Sequence, residues 1–286
     1  MINKEVYFDT NVYTHILNAS LGRTRESGEV TSDDVKLLMK LLKSDRLRVL
    51  ASVTNVEEAI SAYLNHPEES IEKLKIIRRL AKRKRMINAH FEMAKNDVVA
   101  FAQGKASPSP FVSPPSLLID FLARPKSVDP KLFRRVAEDT KAHIEEIRKR
   151  HGEYFSGDRQ HADELKADNK QPSFEEYWNR LSLPGLEIIA EDCAVLDQCR
   201  NRGIADLLQL RSVRIGLFAN LSMRYATAFE GRLVDMGYSR DMHHAILSAA
   251  TGVFITHDRK FRRILSRMTF PDYSVMSLKE LLQAIS

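Results

Sequence analysis

The chain has 286 residues, 43% hydrophobic and 29% charged. That balance excludes a disordered or low-complexity chain and fits either one large domain or two ordinary ones. Lys and Arg outnumber Asp and Glu by 44 to 38, and the resulting charge of +6, with a pI near 9.2, permits a polyanionic partner without requiring one.

The N-terminal MINKEVYF has charge on both sides of a very short apolar run, unlike a signal peptide. Glu5 to Phe8 is predicted as a strand, Thr10 to Ala19 as a short helix, and Ser32 to Lys43 as an amphipathic helix with acids at its start and lysines at its end. The β-branched run Leu47 to Val53 predicts a second strand, followed by the helix TNVEEAISAYLN with Thr54 or Asn55 as its cap. From His66 to Arg232 nearly all periodicity is helical. Glu68 to Ala102 reads as one long helix, a Pro-rich break ASPSPFVSPPS follows, and Pro130 to Arg150 reads as another helix. After the polar loop GDRQHADELKADNKQP, helices resume at Phe174 and continue, long and apolar, from Leu186 to Phe229. Near the end, SRDMHHAILSAA is a helix capped by Ser239, Gly252 to Thr256 a strand, HDRKFRRILSRM a helix, YSVMS a strand and SLKELLQAI a closing helix.

Strands alternating with helices at both ends predict an α/β fold, a doubly wound parallel sheet flanked by helices and interrupted by a mostly α-helical insert. The expected boundaries are 1–66 and 233–286 for the two parts of the α/β domain and 67–232 for the insert, since neither end alone has enough strands for a stable sheet. Cys193 and Cys199 are spaced for neither a CxxC redox pair nor a zinc site, so reduced thiols and a cytoplasmic location are expected. The stretch Met242 to Thr256 lacks Asp, Glu, Lys and Arg but is too short to span a bilayer and contains two His and a Gly, so no membrane association is expected.

Four acids fall in matching places. Asp9 follows the first strand, Asp258 follows the strand GVFIT, Asp241 opens a helix, and Glu58, beside Glu57, lies in the first turns of the helix after LRVLASV. In an open parallel sheet these positions face one crevice. Carboxylates that close repel one another unless a cation sits among them, and an all-oxygen set suits Mg²⁺ or Mn²⁺, which supports hydrolysis of phosphodiesters.

DTNVY at Asp9 to Tyr13, the Ser52 to Glu58 spacing, D-x-x-H-A at Asp241 to Ala245 and T-x-D at Thr256 to Asp258 together resemble the PIN domain family. The resemblance implies a compact α/β fold, metal binding by Asp9, Glu58, Asp241 and Asp258, support from Asn11 and Thr256, and endoribonuclease activity of the kind found in toxins and RNA-processing factors. It covers about the first 65 and the last 55 residues and leaves out the helical middle. The partners it implies are nucleic acid, RNA above all, and a protein antitoxin or regulator; homo-oligomerisation stays open.

Each residue has a plainer reading. Asp9, Asp241 and Asp258 are also good helix caps or first-turn acids, Glu57 competes with Glu58 for the inward position, and His243 and His244 read more readily as packed helix residues than as reacting groups. The basic residues Arg78, Arg79, Lys82, Arg83, Lys84 and Arg85, and the run Arg148 to Arg150, are either a solvated face or contacts to RNA phosphates. A phosphatase with an Asp nucleophile would need a second acid two residues on, where Asn11 stands. The remaining rival to a nuclease is a catalytically silent scaffold whose helical middle binds RNA or a protein.

Overall fold

The computed structural model describes residues 4–23, 30–81, 86–87, 90–112, 121–122, 124–146, 149, 171–230 and 238–285. Its centre is a four-stranded parallel sheet ordered β2-β1-β5-β6, built from β1 (Lys4–Phe8), β2 (Leu47–Leu50), β5 (Val253–Ile255) and β6 (Ser274–Met276). Strand β1 sits between β2 and β5, with Val6 opposite Val49 and Phe8 opposite Ile255. The chain therefore adds strands on one side of β1 early and on the other side late. The crevice above the carboxyl ends of β1 and β5 is the topological switch point at which α/β sheets place ligand sites.

Local signals explain most elements. Helix α1 (Thr10–Ser20) starts at Asp9, and α2 (Ser32–Lys43) starts in a capping box in which Thr31 and Asp34 bond reciprocally. Asp33 and Asp34 lie in the first turn of α2 and Lys40 and Lys43 in its last, each sign at the helix end that stabilises it. Helix α3 (Val53–Ser61) is capped by Ser52 rather than by Thr54 or Asn55: Ser52 Oγ accepts from Asn55 N (3.2 Å) and Asn55 Oδ1 accepts from Ser52 N (3.0 Å). The strand before it ends at Leu50, so the cap comes earlier than the β-branched run suggests.

The expected long helix over Glu68 to Ala102 is two helices, α4 (Pro67–Leu80) and α5 (His90–Ala102), separated by the short strand β3 (Met86–Ile87). Ile87 N donates to Ala51 O (3.0 Å), and β3 pairs antiparallel with β4 (Phe111–Val112), which lies inside the Pro-rich break. Backbone bonding beside the end of β2 and burial of Met86 and Ile87 override the helical pattern there. A helical run over 130–146 follows. The stretch from Phe174 to Phe229 is also interrupted, into α6 (Phe174–Asp192), α7 (Leu196–Asn201), a 3₁₀ turn (Ile204–Gln209) and α8 (Arg211–Phe229). The breaks fall at Ala194 and Gly203, whose φ of 56° and 87° are left-handed and cannot continue a right-handed helix. The last helices are α9 (Tyr238–Ser248), α10 (Arg259–Leu265) and α11 (Leu278–Ile285), and α9 begins one residue ahead of the Ser239 expected as its cap.

Alternation along the strands divides the core in two. Val6, Phe8, Val49 and Ile255 face a layer of α1, α2, α3, α4 and α11, while Tyr7, Leu50 and Phe254 face a layer of α5, α6, α8, α9 and α10. Full burial of one such aromatic or aliphatic side chain is worth about 1.5–3 kcal/mol. In sequence 67–232 interrupts the sheet, but in space it supplies α4 to one layer and α5, α6 and α8 to the other. No helix of the described residues is long and apolar enough to cross a membrane.

Candidate functional site

The crevice at the ends of β1 and β5 is organised around Thr256. Asp9 N donates to Ile255 O (2.9 Å), holding the end of β1 against β5. Thr256 Oγ1 donates to Asp9 Oδ2 (2.7 Å) and accepts from Asn11 Nδ2 (3.3 Å) and Asp258 N (3.1 Å). A hydroxyl has one donor and two acceptor sites, so this one is fully used. Asn11 Oδ1 accepts from His257 N (3.2 Å), a second tie between the two strand ends. Both capping readings also hold. Asp9 accepts from Asn11 N at a long 3.5 Å, and Asp258 Oδ1 accepts from Phe261 N at 2.8 Å to start α10. Asp9 thus spends one oxygen on Thr256 and only a weak contact on its own helix.

The competition between Glu57 and Glu58 is decided by α3: Glu58 is buried while Glu57 is only partly so. Glu58 lies beside His244, which is 1% exposed on α9. His244 Nε2 is 3.2 Å from Glu58 Oε2, 3.4 Å from Thr10 Oγ1 and 3.6 Å from Asp9 Oδ1. A carboxylate only accepts, so Nε2 carries a proton and donates it to Glu58. On the other side of the ring, Nδ1 is 2.6 Å from the Tyr7 hydroxyl, which in turn is 2.9 Å from Ser52 Oγ. Arg240 Nη1 lies 3.6 Å from Glu58 Oε1, a buried oxygen that makes no hydrogen bond.

Charge in the crevice is uneven. Burial, and then the neighbouring carboxylates Asp9 and Asp258, push Asp241 up to about 8. Burial also raises Asp9, partly offset by His244 and by the Thr256 hydrogen bond. Burial acts on Glu58 in the same sense, but His244, Arg240 and a hydrogen bond from Thr10 outweigh it and hold Glu58 at about 2. For His244, burial is overcome by Glu58, Asp9 and Asp241, which raise it to about 9. The direction in each case follows from opposite charges favouring ionisation and like charges opposing it.

Asp9, Glu58, Asp241 and Asp258, from four separate segments, therefore act on one another across the same crevice. Among the described residues, no three His, Cys, Asp or Glu side chains stand in an arrangement that could hold a metal ion as they are. In donor chemistry the three aspartates fit a hard divalent cation: oxygen ligands only, with burial and then like charges pushing Asp241 toward its neutral form.

Sequence reasoning did not find the role of Tyr7, and it read His244 as packing rather than as the internal partner of Glu58. The signal available was D-x-x-H-A itself, in which one helical turn separates Asp241 from His244 and Ala245. Of the basic residues, Arg78 and Arg79 are exposed on α4 and, with Lys75, Arg124 and Lys126, line a cleft of about 550 Å³. Lys82, Arg83, Lys84 and Arg85 lie outside the described residues, as do Arg148 and Arg150. Cys193 and Cys199 are free thiols. No known protein family, curated protein or solved structure matches the chain.

Proposed function

We propose that this protein is a PIN-like, metal-dependent nuclease that hydrolyses phosphodiester bonds, with RNA as its substrate. The observation that carries the proposal is geometric: Thr256 Oγ1 binds both Asp9 Oδ2 (2.7 Å) and Asp258 N (3.1 Å) at the switch point, and burial together with Asp9 and Asp258 pushes Asp241 up to about 8, the direction expected of acids gathered without a cation. Asp9, Asp241 and Asp258 would hold Mg²⁺ or Mn²⁺, and the buried fourth acid, Glu58, completes the negative wall. Such a cation supplies Lewis-acid stabilisation of charge on the attacked phosphate and lowers the pKa of water.

The chain's own residues prepare the site for that chemistry. Thr256 fixes the Asp9 carboxylate through a 2.7 Å hydrogen bond, and Asn11 fixes Thr256, so the aspartate meets its ligand in a set orientation. Asp258 starts α10 by accepting from Phe261 N (2.8 Å), its own N donates to Thr256 Oγ1 (3.1 Å), and its charge is one of those that raise Asp241. A charge of +6 on the whole chain favours approach of a polyanion. RNA rather than DNA rests on the family resemblance.

The test is cleavage of labelled single-stranded RNA and DNA with Mn²⁺, Mg²⁺ or EDTA, for the wild type, Asp9→Asn and Asp258→Asn. Metal-dependent cutting of RNA that both variants lose is the expected result. A folded wild type that cuts nothing with either metal would refute the proposal and favour the scaffold reading.

A further inference from the structure

Five cations gather round one concavity outside the crevice. Lys75, Arg78 and Arg79 share one face of α4, and Arg124 and Lys126, from a 3₁₀ turn at Pro125–Ser127 and the residue before it, complete a cleft of about 550 Å³. Among the described residues its lining holds no carboxylate and no aromatic ring, and Ser127 adds a hydroxyl. Lys75 is held by Glu72 (2.5 Å), but Arg79, Arg124 and Lys126 are exposed and form no ion pair among the described residues. A helix end explains only part of this. Arg78 and Arg79 lie in the last turn of α4, where the helix dipole favours a cation. Arg124 and Lys126 belong to a separate segment, and packing brings them to α4. Pro125 between them is buried, and the fully buried Phe121 meets Phe133 edge to face (4.7 Å between centroids), which stacks on Tyr63 (3.9 Å). Like charges fixed side by side repel, so the cleft concentrates a positive potential that an anion relieves, in a chain whose whole excess is +6.

We propose that this cleft docks the phosphate backbone of a single-stranded polynucleotide, on a surface of the helical middle separate from the crevice. Guanidinium, ammonium and hydroxyl groups are the donors that phosphate oxygens take. A concave basic groove follows one strand, where a stiff duplex would rest across it. The cations come from two segments, so successive phosphates of a strand engage more of them than one small anion does. With no ring to stack on, the contact is to the backbone and independent of base sequence. The cleft also adjoins the crevice through α4 itself: Ser70 Oγ donates to Ala59 O (2.6 Å), the residue after Glu58 on α3. Arg79 is about 14 Å further along that helix at 1.5 Å per residue. The inference goes beyond the nuclease reading and does not depend on it, because docking needs no metal.

Fluorescence anisotropy of labelled RNA and DNA strands of about 20 nucleotides, in EDTA, tests it on the full chain. The cleft variant combines Arg79→Gln, Arg124→Gln and Lys126→Gln; a control of equal charge combines Lys40→Gln, Lys43→Gln and Lys279→Gln on α2 and α11, all exposed positions, and circular dichroism confirms that both fold. Both strands should bind the wild type. The cleft variant should bind them more than about thirtyfold more weakly at about 0.1 M salt, with a salt dependence shallower by about 2 log units per decade, while the control loses less than about fivefold. A control as weak as the cleft variant would show diffuse charge at work and overturn the inference, and so would inorganic tripolyphosphate that displaces RNA at equal phosphate concentration. A cleft variant that binds like the wild type would overturn it and leave the nuclease reading standing. Cleft-dependent binding in a wild type that cuts nothing with Mn²⁺ would uphold it and refute that reading.

Discussion

Replacing Asp241 by Asn is expected to stabilise the metal-free protein while removing its response to metal. In the fold Asp241 titrates at about 8, against an ordinary 3.8, because of burial and then Asp9 and Asp258. A carboxyl whose folded pKa is raised holds its proton more tightly in the native state than in the unfolded chain. Its contribution is therefore fully present below 3.8 and is lost progressively as pH rises to about 8. Protonating this group at pH 7 against an ordinary value of 3.8 costs about 4 kcal/mol. Asn needs no proton and meets no like-charge repulsion. Asp241 is only partly buried, so screening by water discounts this figure, and the net gain expected for Asn is about 1–2 kcal/mol, or roughly 2–3 °C in Tm for a chain of this size.

The assay is thermal unfolding of wild type and variant in EDTA at pH 5, 7 and 9, then with Mn²⁺. The stability gap should widen from pH 5 to pH 9, and Mn²⁺ should raise the wild-type Tm and leave that of the variant in place. His244, raised to about 9 by Glu58 and Asp9 ahead of Asp241, also loses its contribution as pH rises, in both proteins but over a somewhat lower range in the variant, which lacks the Asp241 charge. A variant less stable than wild type at pH 9, or a gap independent of pH, would refute the account of a crowded acidic crevice.

Two further outcomes follow from the geometry. Thr256→Val removes the hydroxyl that serves Asp9, Asn11 and Asp258 and leaves buried polar groups unpaired; a loss of about 1–3 kcal/mol is expected in urea unfolding, with weaker Mn²⁺ binding, and an unchanged midpoint would show that Thr256 does not organise the site. If the α4 cleft carries polynucleotide phosphates, Arg79→Glu with Arg124→Glu should weaken oligonucleotide binding in EDTA and flatten its salt dependence by about 1.4 log units per decade, as two lost contacts to single strands require. Fluorescence anisotropy at several salt concentrations reads this, and an unaltered slope would take the cleft out of the binding surface.

What the sequence determined by itself was everything carried by local chemistry. The alternation in KEVYF, the Asp9 and Asp258 caps and the acid-to-lysine gradient of Ser32 to Lys43 are read over a few residues, and the structure has strands and helices there. The parallel α/β sheet followed from the order of those elements. Tertiary structure decided the rest. Met86 and Ile87 are a strand because Ala51 O accepts Ile87 N and β4 pairs alongside, and the helix expected through Gly203 stops because that residue is left-handed. Glu57 and Glu58 are neighbours with the same chemistry; only the rotation of α3 against the core makes Glu58 the one that meets His244, 186 residues away. The same holds for charge. A carboxylate's pKa depends on burial and on which charges lie within a few ångströms, and neither is written in the spacing of residues along the chain.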